Sequence, residues 1–206
     1  MRKSILFIIA IAMSIGLAAQ ETSKIKEAGL VFSSFNNFGL SYKSGSEKAL
    51  WRYSTLFLSG SNSKETGDDY IDERNTFGVS LAFGREYRKH LTEKLQLRYG
   101  ADVVFGIAHS EINSDPGNNI SYAYTRIIKE TIYSPGVDFV FGFNYLVTDV
   151  LIFGVELNPE FTYNFGKSKQ STEYPDESKN ELETDISGIT YGLRSNSARI
   201  TIAYRF

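Results

Sequence analysis

The feature that most constrains the fold is a long alternation of large apolar residues with small or polar residues between positions 77 and 107. Residues 77–87 place Phe, Val, Leu and Tyr at odd positions, and residues 95–107 repeat the scheme after a short polar segment at residues 88–94. A period of two residues is the signature of a β-strand with one apolar and one polar face. These residues are therefore predicted to form a β-hairpin.

The two faces of this hairpin differ in size as well as in polarity. One face carries large apolar side chains, and the other carries glycines, small residues and charges. This pattern is typical of a barrel whose apolar side meets lipid and whose polar side faces its own lumen. A soluble ligand-binding barrel of the lipocalin type is the alternative, with the apolar face inside. An eight-stranded lumen has little room beyond its own side chains, so the membrane barrel is favoured.

The first residues have the character of a targeting segment. Arg2 and Lys3 precede an apolar run at residues 5–17, and small residues follow at positions 18 and 19. The run is shorter than the roughly 20 apolar residues that a spanning helix needs, although an N-terminal anchor helix is the alternative. We predict a signal peptide at residues 1–19 and a single barrel domain at residues 20–206, exported to the outer membrane.

Composition narrows the possible partners. The formal charge of the 206 residues is -2, which lacks the basic excess of a nucleic-acid-binding protein. There are no cysteines, which excludes disulfides, thiolate metal sites and lipid attachment through an N-terminal cysteine. We expect no nucleic-acid partner, no metal and no cofactor.

Alternation and turn residues predict eight strands, with short turns at one end and long segments at the other. A three-residue turn at residues 35–37 is predicted to pair Phe32 with Leu40 and Leu30 with Tyr42. The polar segments 61–75, 109–131 and 166–185 are predicted as long outer loops, apart from a projecting strand in the later part of the second.

The last strand, residues 189–206, changes its apolar phase across residues 195–198, which predicts a bulge. Pro135 and Pro159 are predicted towards the outer ends of their strands, where bulges are tolerated.

Outward aromatic residues are predicted at two levels. Such levels are typical of the girdles at the two membrane interfaces, although ordinary strand aromatics are the alternative. The short-turn level comprises Tyr42, Trp51, Tyr87, Tyr145 and Tyr204, and the loop level comprises Tyr133, Tyr163, Phe165 and Tyr191.

Charged residues recur on the face that is predicted to line the lumen. Charges removed from bulk water must be paired or hydrated, and five of each sign suit a paired network that plugs a narrow barrel. A charged pore constriction or a proton path is the alternative. The predicted network consists of Glu86, Asp102, Asp138, Glu156 and Glu160 with Lys43, Arg52, Arg98, Arg199 and Arg205.

The signal segment, the alternating strands and the closing residues 199–206, which read Arg-Ile-Thr-Ile-Ala-Tyr-Arg-Phe, resemble the outer-membrane β-barrel superfamily of Gram-negative bacteria. That superfamily includes OmpX-like and OmpA-like barrels, and residues 35–43 also resemble barrel proteins known only as outer-membrane domains. The resemblance implies an all-β, eight-stranded antiparallel up-and-down transmembrane β-barrel in contact with outer-membrane lipid. It also implies that Ile202, Tyr204 and Phe206 form the signal read by the barrel-assembly machinery.

No motif in the sequence assigns an activity. His109, Ser110 and Glu111 are triad residue types, but Ser110 points to the opposite side of a strand from the other two. We therefore predict a monomeric, non-enzymatic structural or surface-interaction protein, whose surface ligand is unknown. A small porin-like channel is the first alternative, and an enzyme that modifies lipid A or cleaves peptides is the second.

Overall fold

Antiparallel β-strands form one continuous sheet in the computed structural model of the protein. The structure describes residues 24–34, 37–67, 70–116, 124–194 and 196–206, and the side chains of residues 54–58 are not described. The predicted signal peptide, residues 1–19, lies outside the described residues. The described strands are β1 (Ile25–Ser34), β2 (Asn37–Gly45), β3 (Ala49–Thr66), β4 (Tyr70–His90), β5 (Leu95–Pro116), β6 (Thr125–Leu146), β7 (Leu151–Leu157), β8 (Glu160–Glu173), β9 (Lys179–Gly192) and β10 (Ala198–Arg205).

Eight of these strands close into a ring. Strands β1 to β6 pair in sequence, β6 pairs with β7, β7 with β10, and β10 returns to β1. The closing pair runs from Glu27 opposite Arg205 to Phe32 opposite Ile200. The predicted eight-stranded antiparallel up-and-down barrel is therefore confirmed. Strands β8 and β9 continue two of the ring strands beyond the ring.

The ring strand that contains β7 and β8 is interrupted at Pro159. Phe141 faces Leu157 and Asp138 faces Glu160, so β6 keeps one register along both segments. Proline has no N–H to donate to a ladder, but its carbonyl still accepts a bond of 2.8 Å from the N–H of Phe139. Pro159 thus breaks the strand without a bulge, and Pro135 lies within β6.

The predicted phase change in the last strand is also observed, but it divides that strand into two. Five residues, 193–197, separate β9 from β10. On the neighbouring strand, only two residues, 158 and 159, separate β7 from β8. Between β9 and β10, the N–H of Ser197 donates to the carbonyl of Arg194 at 3.0 Å. An odd number of extra residues moves the outward side chains from odd positions in β9 to even positions in β10.

The register predicted for the first hairpin is wrong. Phe32 pairs with Phe38 and Leu30 pairs with Leu40, and Ser34 faces Asn37. A register irregularity between Phe32 and Ser34 restores the parity that keeps these apolar side chains on one face. The apolar residues of both strands must lie on the same face of the sheet. A bulge achieves this in the structure, instead of the longer turn that was predicted.

The three segments predicted as long loops are mostly strands. Strands β3 and β4 pair as far as Thr66 opposite Ile71, β5 and β6 as far as Ser114 opposite Arg126, and β8 and β9 as far as Glu173 opposite Lys179. Polar residues occur on both faces of these extensions, so they lack the regular apolar alternation from which strands were predicted. They project beyond the barrel as a sheet.

The distribution of polarity is inverted relative to a soluble protein. Outward side chains of the barrel are large and apolar, with Val103 66% and Phe141 54% exposed, while the residues buried inside are mostly polar or charged. A soluble barrel with an apolar interior is therefore excluded. Among the described residues, no helix is long and apolar enough to span a membrane.

Candidate functional site: the charged lumen

The inward faces of the ring strands bring charged residues together inside the barrel. Alternate residues of a strand point to one face, so the even positions of β4, β5 and β6 all line the lumen. Small residues on the same faces make room for the long side chains. A Cβ on Gly154 would meet Asn144 Oδ1 at 2.8 Å and Arg98 Nη1 at 3.0 Å, so a larger residue here would displace the ends of these two side chains.

Glu86 is at the centre of the network. Its side chain is fully buried. One carboxylate oxygen, Oε2, accepts from Lys43 Nζ at 2.8 Å and lies 3.1 Å from Arg98 Nη2 and 3.6 Å from Arg52 Nη1. The other oxygen, Oε1, accepts from Arg88 Nε at 2.7 Å. Four cations therefore converge on a single carboxylate.

A second set of contacts crosses the lumen from wall to wall. Arg52 of β3 donates to Glu156 of β7 at 3.3 and 3.4 Å. In the ring of eight these strands lie on opposite sides, so this pair spans the full width of the barrel. Arg52 Nε also lies 3.2 Å from Asp102 Oδ2 on β5, and Arg98 contacts Glu156 as well.

Two members of this network lay outside the predicted set. The Arg88 guanidinium donates to both oxygens of Glu27 at 2.7 and 2.6 Å, and Arg205 donates to Glu27 at 3.1 Å. Both Glu27 and Arg88 are nearly completely buried. Glu27 and Arg88 each lie one step beyond the alternation that was predicted for β1 and β4. Extending that alternation by one inward position would have included both residues.

The remaining predicted residues also form ion pairs. Arg199 donates to Asp138 at 3.2 Å, and Arg194 donates to Glu160 at 2.9 Å. The Glu160 partner, Arg194, is half exposed. Arg199 lies directly opposite Glu156 in the pairing of β10 with β7, so the Arg199–Asp138 pair adjoins the network, whereas the Arg194–Glu160 pair lies at the start of β8.

Because the network is buried, disrupting it is expected to lower the free energy of unfolding strongly. The side chains of Arg52, Glu86, Arg98 and Glu156 are each at most 2% exposed. Removing one partner of a buried pair leaves a charge uncompensated, which costs about 3–5 kcal/mol. The arrangement is suited to holding the walls of the barrel together and to filling its lumen.

The histidines do not form a catalytic group with the residues that were considered from the sequence. His109 Nδ1 lies 2.9 Å from Thr131 Oγ1 on the outer face, and Ser110 is on the inner face. His90 contacts Glu47 and Gln96 at 3.0 Å each. Within the described ranges, no group of three His, Asp or Glu residues is placed to hold a metal ion.

The fold and the lumen together define an inside-out β-barrel, apolar on its outer surface and charged within. No protein-family model matches the chain, and no curated protein matches it significantly. In fold, the chain resembles solved outer-membrane barrels.

A major outer membrane protein from Thermus thermophilus is 12% identical, with a TM-score of 0.45 over 90% of this chain and 100% of that chain. CarO from Acinetobacter baumannii is 9% identical, with a TM-score of 0.35 over 88% of this chain and 96% of that chain. LpxR from Salmonella typhimurium is 10% identical, with a TM-score of 0.27 over 89% of this chain and 99% of that chain. The likeness is one of fold alone and assigns no activity.

Proposed function

We propose that the protein is an integral outer-membrane β-barrel that acts as a non-enzymatic scaffold and holds its projecting sheet at the cell surface. The observation that carries the scaffold role is the Arg52–Glu156 pair, because it crosses the lumen where a channel would need open space. A narrow barrel with side chains joined across it offers solutes no continuous path.

Membrane insertion is supported by the outer surface. An apolar band flanked by two aromatic levels is the surface that a lipid bilayer requires. At the short-turn end, Tyr87 stacks on Tyr99 with ring centroids 5.7 Å apart, and at the other end Tyr133 stacks on Phe165 at 5.6 Å. The predicted depth of these rings in the bilayer is part of the proposal.

A barrel in the outer membrane is expected to contact the barrel-assembly machinery and outer-membrane lipid. Ile202, Tyr204 and Phe206 are exposed on the outer surface, which suits recognition of the closing strand by the barrel-assembly machinery. We expect a monomer in contact with outer-membrane lipid and no nucleic-acid partner. Export by the predicted signal peptide belongs to the proposal as well.

Single-channel recording in a planar bilayer tests the scaffold against the channel. The refolded wild type is expected to give no discrete conductance steps, with folding verified by its heat-dependent mobility on a gel. A double variant, Arg52→Ala with Glu156→Ala, removes both ends of the cross-lumen pair and is expected to admit ions. Discrete salt-dependent steps from the wild type would reject the scaffold and favour the small channel.

An assay of lipid A and of surface peptides tests the non-enzymatic part of the proposal. Cells that express the wild type and cells that express His109→Ala are expected to show the same lipid A and surface-peptide profiles as cells without the protein. A modified product that depends on the wild-type chain would show that the protein is an enzyme.

A further inference from the structure

In the part of the chain that the structure describes, the barrel wall is incomplete on one side above the hairpin of β1 and β2. The last pairs of this hairpin with its neighbours are Phe32 opposite Ile200 and Phe38 opposite Leu58. Beyond them, among the described residues, β3 pairs only with β4 and β9 pairs only with β8. The edges of β3 and β9 therefore flank a gap in the wall.

Strand length places this gap near the outer surface of the bilayer. Strands β1 and β2 have 10 and 9 residues, whereas β5 and β6 have 22 each. At about 3.3 Å per residue and a tilt of about 40°, the short hairpin rises roughly 25 Å, the height of the apolar band of such barrels. The gap therefore opens at the level of the lipid headgroups.

A polar cavity lies behind the gap. We call it the lateral vestibule; it has a volume of about 240 Å³, and Ser59, Ser80, Ser134, Asn37, Arg194 and Arg199 are among the residues that line it. This volume is comparable to that of about eight water molecules, which suits a small polar group.

The charge of the lining favours an anion. Two guanidinium groups and several hydroxyl and amide groups line the vestibule, and no carboxylate does so among the described residues. Arg199 is nearly buried and pairs with Asp138, whereas Arg194 pairs with Glu160 but is 52% exposed, so the accessible charge is that of Arg194. Guanidinium groups bind phosphate through paired hydrogen bonds.

An apolar surface flanks the same gap on the outside. Ile189 and Tyr191 of β9 and Leu193 beyond it are 60%, 79% and 62% exposed. They offer contacts for acyl chains directly beside a polar cavity. This combination matches an amphiphile better than a soluble anion.

We propose that the lateral vestibule binds the anionic, phosphate-bearing headgroup of an outer-leaflet lipid, which enters sideways between β3 and β9 while its acyl chains stay on the outer surface. This inference rests on the proposed insertion into the outer membrane. It adds a specific lipid site to the scaffold and leaves the filled lumen below it unchanged.

Titration of the refolded protein with short-chain phosphatidylglycerol tests the site, with short-chain phosphatidylcholine as the comparison. In calorimetry, phosphatidylglycerol is expected to bind more tightly than phosphatidylcholine. Arg194→Gln removes a charged hydrogen-bond donor and is expected to weaken phosphatidylglycerol binding by about tenfold.

A pair of matched glycine variants tests the location. A Cβ on Gly106, which lines the vestibule, would meet Ser134 Cβ at 3.5 Å and Ser80 Cβ at 3.9 Å, so a larger side chain fits the wall and extends into the cavity. Gly106→Leu is expected to abolish the selective binding. A Cβ on Gly188 meets nothing within 4 Å. Gly188→Leu, on the same inner face but outside the vestibule, is expected to bind as the wild type does.

Heat-dependent gel mobility and quenching of Trp51 fluorescence by brominated lipid report insertion separately from binding. A protein that does not insert would overturn the proposed function and the lipid site with it. An inserted protein whose phosphatidylglycerol affinity equals that for phosphatidylcholine, or survives Gly106→Leu, would overturn only the lipid site.

Discussion

At the scale of single residues, mostly charged or polar side chains instead of apolar ones line the lumen of this barrel. Each inward strand face offers few positions, and long side chains such as Arg52 can reach across to the opposite wall. If these positions were apolar, both faces of each strand would be apolar, and polarity would not distinguish the inner face from the outer one. Alternation of polarity therefore specifies which face is inside.

Loss of the central carboxylate should destabilise the barrel strongly. Glu86→Gln leaves Lys43, Arg88 and Arg98 buried with one fewer negative charge between them. We expect a loss of about 3–5 kcal/mol in the free energy of unfolding, measured by denaturant titration in detergent or lipid. Glu73→Gln breaks an exposed pair with Lys64 and should cost less than about 1 kcal/mol. Equal stabilities of the two variants would contradict the structural role of Glu86.

The ion pair at the start of the projecting β8–β9 hairpin should titrate at acid pH. A hydrogen bond from Lys167, with help from Lys169, lowers the pKa of the exposed Glu183 below its ordinary value of 4.5. Its contribution to the hairpin is therefore present above pH 4.5 and is lost as the pH falls through the lowered pKa. The reciprocal contact with Glu183 raises the pKa of Lys167 above 10.5, so that contribution is lost only as the pH rises through the raised value.

The ¹³C shift of the Glu183 carboxyl measures this titration directly. The midpoint is expected below 4.5 in the wild type and closer to 4.5 in Lys167→Gln. An unchanged midpoint in that variant would show that the contact with Lys167 does not form in solution.

At the scale of elements, the projecting hairpins were the part that the sequence described least well. Lys167 faces Asp185, and Lys169 faces Glu183, within regular antiparallel pairing. These strands are solvated on both faces, so they need no apolar periodicity, and their charged pairs resemble those of a loop when read along the chain. Pairing between distant segments, which is a tertiary property, made them strands.

The β8–β9 extension should be dispensable for folding. Gly166 and Ile186 are cross-strand partners, so a two-residue Asn-Gly turn between them can replace residues 167–185. We expect the shortened protein to keep its heat-dependent gel mobility and to lose any binding of a surface partner through this hairpin. A shortened chain that fails to fold would show that the extension is part of the folding core.

At the scale of the whole molecule, the last strand completes the barrel. β10 pairs with β1 on one side and β7 on the other, and the N–H of Phe206 donates to the carbonyl of Lys26 at 2.9 Å. The aromatic ring of Phe206 stacks beside Tyr204 on the outer surface, with centroids 6.4 Å apart. Its side chain therefore contributes little to the lumen.

Replacement of the terminal aromatic should slow assembly more than it weakens the folded barrel. Phe206→Ala is expected to reduce insertion by the reconstituted assembly machinery several-fold, because the predicted recognition feature is lost. Stability of the refolded variant should fall by less than about 1 kcal/mol, as expected for a change at an exposed site. Val150→Ala, which shortens an exposed apolar side chain in a short turn, serves as the control for insertion. Equal insertion rates for Phe206→Ala and the wild type would contradict the assembly signal.

The sequence by itself determined the all-β class, the eight ring strands and which face of each strand lies inside. Those properties follow from a period of two residues in polarity, which is local information. Only the tertiary structure decided the register of the first hairpin, the joining of Glu27 and Arg88 to the network, and the extension of polar strands beyond the barrel. In the hairpin, several registers satisfy the same local pattern and a bulge selects one. The other two features depend on contacts between residues farther apart in the chain, which a local pattern does not specify.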